Sequence, residues 1–146
     1  MACLTIHSRL SHFRLVTCIS QATELYIRAD ADFHSMPVYG GLEAMAQLAT
    51  LHVRHWLDFR RHAFLLKVNH GSWPGQEKLD GRFRLTAERY GHSSDVCAYR
   101  VAARGEGDLR LDADLLIGTK AYDEEFQAEV LAAHYRKMFE ELRMRR

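Results

Sequence analysis

The chain has 146 residues, 47% hydrophobic and 27% charged, with 7 Phe, 6 Tyr and 2 Trp. A domain of this size buries roughly 70% of the surface its unfolded chain exposes, so disorder is excluded and neither a metal nor a disulfide is needed to complete the core. With Lys+Arg 20 against Asp+Glu 19 the net charge is +1, which excludes the strongly basic balance of a nucleic-acid-binding domain.

Near the N-terminus, Phe13 to Ser20 (FRLVTCIS) and Thr23 to Ala29 (TELYIRA) are short, β-branched and aromatic. They predict a pair of strands. Asp30 to Gly41 (DADFHSMPVYGG) is rich in turn formers and predicts an irregular loop. From Leu42 to Leu57 the apolar residues Leu42, Met45, Ala46, Ala49, Val53, Trp56 and Leu57 recur at helical spacing. The small side chains of Ala44, Ala46 and Ala49 let a sheet approach closely, so this is the candidate central helix.

A charged turn, Asp58 to Arg61, precedes four further predicted strands: His62 to Val68, Arg82 to Arg89, Ser94 to Ala103 and Leu109 to Gly118. The reversals RYGHSS and ARGEGD between the last three predict an antiparallel meander. Asp123 to Arg143 predicts a helix with Asp123, Glu124 and Glu125 in its first turn and Arg143, Arg145 and Arg146 at its end, as the helix dipole prefers. Its apolar stripe is Leu131, Tyr135, Met138, Phe139 and Leu142. The order of elements predicts an α+β fold, one curved antiparallel sheet wrapped around a single apolar helix, as one domain over residues 1–146 with a core at about 10–119 and a helical extension at about 122–146.

Cys3, Cys18 and Cys97 are odd in number and form no CxxC pair, which argues against a disulfide framework or structural zinc and for reduced thiols in the cytoplasm. No apolar run approaches the ~20 residues of a membrane span. His52, His55, His62 and His70 form no metal-ligand motif, the serines lack a GxSxG elbow, and no phosphate-binding glycine loop occurs. No metal or cofactor is expected. Cys97, on a predicted strand, reads as a small core residue.

The stretch Phe33 to Leu51, FHSMPVYGGLEAMAQLATL, puts a histidine, a Gly-Gly pair and a carboxylate at the entry to the apolar helix. Here GLEAMAQLA resembles the helix start of the β-hydroxyacyl-acyl-carrier-protein dehydratases. That family has the hotdog fold, a curved antiparallel sheet around one helix. FLLKVNHGSWPG is similar to the strand and turn that follow the helix in the family, and the resemblance spans roughly residues 10 to 119. The GLExMAQ core is similar to that of the dehydratase-like proteins of aryl-polyene biosynthesis.

The resemblance implies that Glu43 is the general acid that protonates the leaving hydroxyl, and a partly buried carboxyl in the first helical turn suits that role. It also implies that the Gly40 and Gly41 amides polarise the thioester carbonyl, with Gln47 and Pro37 completing the substrate-binding set. The same residues serve equally as a helix-start acid and a tight turn. Typical members place the catalytic His about fourteen positions before the acid; that position is Ala29 here, and His34, nine before Glu43, is the candidate base.

The implied function is a 3-hydroxyacyl-thioester dehydratase acting on phosphopantetheine-borne substrate, from an acyl carrier protein or coenzyme A, as a homodimer or a heterodimer with a homologue. A hotdog thioesterase and a non-catalytic acyl-carrier-binding subunit are the alternatives, the latter favoured by the missing HFPG pattern. Arg60, Arg61 and Lys67 are candidates for carrier docking or a solvated face.

Overall fold

A computed structural model describes residues 15–123 and 127–144. Six strands and two helices follow in the order β1 (Val16–Ala22), β2 (Tyr26–Pro37), α1 (Val38–Trp56), β3 (His62–Ser72), β4 (Lys78–His92), β5 (Val96–Arg104), β6 (Arg110–Lys120) and α2 (Ala128–Met144). The strands form one antiparallel sheet in the order β1-β2-β4-β5-β6-β3.

Alternation along each strand decides which face receives the helix. On β2, Ile27, Ala29, Ala31 and Phe33 are fully buried, while Arg28, Asp32 and His34 are exposed. Phe83, Leu85 and Ala87 of β4 and Leu111, Leu115 and Ile117 of β6 repeat the pattern. Against this inner face α1 sets Ala44, Met45, Leu48 and Ala49, all without exposed surface. Each large apolar side chain buried there contributes about 1.5–3 kcal/mol.

Three expectations are corrected. Residues 30–37 are strand rather than loop, because the turn formers Asp30, Asp32 and His34 are the outward positions of an amphipathic strand whose inward positions are Ala31 and Phe33. The strand runs to Pro37 and α1 starts at Val38, four residues before the expected Leu42. The C-terminal helix starts later than expected, at Ala128. Asp123 lies before it, where Lys120 Nζ stands 3.0 Å from its Oδ2, and Glu124, Glu125, Arg145 and Arg146 lie outside the described residues, as does Cys3.

Helix α2 buries Leu131, Phe139 and Leu142 of the expected stripe, with Tyr135 and Met138 half-buried. It packs on β1, β3 and α1. Phe139 stacks on His55 with ring centroids 4.2 Å apart, and the Arg54 guanidinium lies 3.7 Å from the Tyr135 ring centroid. No helix among the described residues is long and apolar enough to cross a membrane.

Candidate functional site

The entrance to α1 is built by a direct handover from strand to helix. β2 carries a bulge between Phe33 and Met36, where His34 and Ser35 both stand opposite the single residue Asp80 of β4. Ser35 takes a left-handed φ of 46°, and its amide donates to Asp80 Oδ1 at 2.7 Å. Pro37 then caps α1 without a side-chain hydrogen bond. A helix leaves its first amides without intrahelical acceptors, here those of Val38, Tyr39 and Gly40, of which Gly40 is buried and Tyr39 exposed. Gly41 falls one position too late and bonds back to Pro37 in the i→i−4 pattern.

Both glycines also have packing reasons. A Cβ on Gly40 would stand 2.3 Å from Met36 Sδ, and one on Gly41 would stand 2.7 Å from Leu111 Cδ2 and 2.9 Å from Leu79 Cδ1. Gly41 therefore lets α1 pack closely on Leu79 of β4 and Leu111 of β6.

Because the helix starts early, Glu43 occupies its second turn rather than its first, and its side chain is exposed rather than partly buried. It lies four residues after Tyr39, which is 75% exposed, so the two are neighbours on the face turned away from the sheet. Helical side chains lean toward the N-terminus, which directs the Glu43 carboxylate back toward the free amides. Gln47, one turn further on, is engaged elsewhere: its Oε1 accepts the Leu15 amide at 3.0 Å. Thr50 Oγ1 donates to the Gln47 carbonyl, also at 3.0 Å.

His34 is not brought to this face. Continuing the alternation of β2 it stands exposed on the outer side of the sheet, and α1 packs on the inner side. Ala29, at the position where the dehydratases carry their histidine, is fully buried on the inner face opposite Leu85. Within one chain, then, Glu43 and the first-turn amides lie toward the same end of α1, while Gly41 packs against the sheet and His34 stands on the sheet's outer side.

The expected docking cations do not form one cluster either. Arg61 is tied into the sheet, with Nε donating to Thr119 Oγ1 at 3.2 Å and Nη2 lying 3.4 Å from Asp95 Oδ1. Arg60 Nε donates to the Leu57 carbonyl, and Lys67 stands exposed on β3, about 20 Å along that strand from Arg61. Cys97 is buried on β5, where burial raises its thiol pKa. Among the described residues no group of three His, Cys, Asp or Glu side chains is placed to hold a metal.

Two buried polar groups lie at the other end of α1. His52, 1% exposed, donates from Nε2 to the Thr23 carbonyl at 2.7 Å and accepts the Tyr99 hydroxyl at Nδ1. The carbonyl can only accept, so the proton resides on Nε2, and burial pulls the His52 pKa down to about 4. Arg54, 2% exposed, donates from Nη2 to the Ala63 carbonyl at 2.8 Å and to His62 Nδ1 at 3.1 Å. Burial, reinforced by Arg54, lowers the His62 pKa to about 4. These groups fasten the β1–β2 turn, β3 and α2 to the central helix.

The sequence matches no protein-family model and no curated protein. Solved structures do match. A thioesterase from Staphylococcus aureus superposes with a TM-score of 0.63 at 12% identity, covering 77% of this chain and 98% of its own. The dehydratase heterocomplex ApeI:P from Xenorhabdus doucetiae gives a TM-score of 0.61 at 10% identity over 78% of this chain and 86% of that one. A thioesterase from Haemophilus influenzae gives 0.57 at 16% identity, covering 70% and 77%. At these identities the likeness establishes the fold: this is a hotdog domain, in agreement with the resemblance carried by GLEAMAQLA.

Proposed function

We propose that this hotdog domain acts on acyl thioesters and that the reaction is hydrolysis. The observation that carries the reading is the placement of Glu43 beside the free amides of α1, on a face its own sheet leaves open, with His34 on the far side of that sheet. Hydrolysis needs only this set. A free amide of the first turn, Gly40 among them, donates to the thioester oxygen as negative charge develops on it. The Glu43 carboxylate accepts a proton from water as the water oxygen attacks the carbonyl carbon, and collapse of the adduct breaks the C–S bond as the Glu43 carboxyl returns that proton to the leaving sulfur, releasing the thiol.

The active unit is a dimer. β3 is an edge strand with Leu65 39% and Leu66 52% exposed, and such an edge is a template for pairing with a second chain.

Dehydration is the second reading, favoured by the GLEAMAQLA core and by the likeness to the ApeI:P heterocomplex. In that case the base that removes the α-proton comes from another chain, whether a second copy or a homologue, and His34 is the candidate only if pairing brings it round to the partner's Glu43.

One experiment separates these. A 3-hydroxyacyl thioester is incubated with the purified protein and with Glu43→Gln, with thiol release followed by a disulfide-exchange dye and the acyl product by mass spectrometry. Free thiol and free acid from wild type alone support hydrolysis. Loss of one water with the thioester intact moves the assignment to dehydration. An unchanged substrate overturns both and leaves an acyl-binding subunit.

A further inference from the structure

The strand that delivers the chain to α1 changes phase just before it does so. From Tyr26 opposite Glu88 to Phe33 opposite Gly81, β2 and β4 keep one register; from Met36 opposite Leu79 onward the register is shifted by the extra residue of the bulge. Opposed residues share a face of the sheet, so the shift decides which side chains point inward. Without it Ser35 would stand opposite Leu79, which is fully buried, and Met36 would turn outward. With it Ser35 is exposed and Met36 is half-buried against Gly40, where a Cβ on the glycine would overlap the methionine Sδ and Cγ. The extra residue therefore sets the face on which the chain enters its first helical turn.

The bulge rests on backbone conformations that need support. Ser35, with its φ of 46°, lies in the left-handed region that favours glycine. On the opposite strand Gly81, next to Asp80, has a φ of 95°, and a Cβ there would meet nothing within 4 Å. At Gly81 the backbone angle, and not packing, calls for glycine. β2 has no glycine at its strained position. It has instead the Asp80 carboxylate, whose Oδ1 accepts the Ser35 amide at 2.7 Å, a charge-assisted bond across the strands. Ser35 and Asp80 are both exposed, so this bond stands apart from the packing of the core. Bulges of this kind bend a strand and re-aim the side chains that follow.

We propose that Asp80 is a positioning residue for the entrance of α1. By fixing the bulge it sets the phase of Met36 and Pro37, and through them the direction in which the first-turn amides and Glu43 are presented. Asp80 acts through Ser35 and touches no substrate. What the placement serves rests on the thioester reading; the placement itself does not.

The test compares wild type, Asp80→Ala, Asp80→Asn and the double variant Asp80→Ala/Ser35→Gly, by amide NMR of 15N-glycine-labelled protein and by turnover of an acyl-coenzyme A thioester. The Gly40 resonance is assigned by its loss in Gly40→Ala. Asp80→Ala should displace that resonance and leave Gly118, at the far end of β6, in place. Its kcat should fall at least about tenfold with KM within about twofold of wild type. Asp80→Asn keeps an acceptor, and Ser35→Gly takes up the left-handed angle without strain, so both should bring the Gly40 resonance and kcat back toward wild type. An unmoved Gly40 resonance in Asp80→Ala, a loss of turnover that lies in KM alone, or a double variant no better than Asp80→Ala overturns the assignment. Should Asp80→Ala fail to fold, recovery of folding on adding Ser35→Gly supports the role of the bulge, and no recovery overturns it. If wild type turns over no thioester, the catalytic reading fails and the Gly40 resonances alone decide the positioning.

Discussion

Acidification should weaken this fold through His52 in particular. Its ring is 1% exposed, held neutral between Thr23 and Tyr99, with a pKa of about 4 against 6.5 in an unfolded chain. Below pH 6.5 the unfolded chain binds a proton that the folded state refuses, so stability is complete above that pH and falls as the pH drops toward 4. A gap of about 2.5 pH units at 1.36 kcal/mol each makes this loss about 3 kcal/mol, a large share of the 5–15 kcal/mol that typically holds a domain together. His62 adds to it with the same sign, and its partial exposure makes its share smaller. Urea unfolding followed by far-UV circular dichroism between about pH 7 and about pH 4 measures the slope. His52→Gln cannot titrate, so it should begin less stable and then lose less over the same interval. Parallel losses in wild type and His52→Gln would refute the assignment.

The glycine pair offers a contrast within one helical turn. Gly41→Ala pushes a methyl into two fully buried leucines and should cost about 1–3 kcal/mol in chemical denaturation. Gly40→Ala meets only the flexible Met36 side chain, so the helix propensity gained, up to about 1 kcal/mol, should leave it near neutral. Glu43→Gln is expected to abolish thioester turnover with an unchanged Tm, because the residue is exposed and supports no packing; full activity would remove it from the reaction. Leu65→Lys combined with Leu66→Lys should convert a dimer to monomers in sedimentation velocity and reduce turnover with it, and an unaltered mass would place the interface elsewhere.

Much of the architecture is legible in the residues. The helical spacing from Leu42 to Leu57 and the alternation of Phe83, Leu85 and Ala87 report burial directly, because each faces one continuous core. The stretch from Asp30 to Pro37 misleads because Asp, His and Ser are read as turn formers, yet here they are the solvent side of a strand whose inner side carries only Ala31 and Phe33. With that strand in place, counting by twos from Ile27 puts His34 on the outer face and four helical residues ahead of Leu42. That Glu43 lies on the helix was accessible from spacing; its turn was not, because the helix starts at Val38, nor was its exposure, since nothing in a helical pattern says what covers the face opposite the sheet. His52 and Arg54 are least legible. Neither belongs to the apolar repeat of Leu42, Met45, Ala46, Ala49 and Val53, and the partners that hold them, the Thr23 carbonyl and Tyr99 hydroxyl for His52 and the Ala63 carbonyl for Arg54, are distant in sequence.

The handover at Pro37 sets how this molecule can breathe. Enzymes usually open and close through a few loop residues that absorb the change in backbone angles. Here no residue separates the last rung of β2 from the first turn of α1, and the preceding bulge is pinned across the strands by Asp80. The mouth of the helix therefore moves only with the sheet beneath it. Glu43 is itself exposed, so no flap of this helix entrance stands between it and solvent.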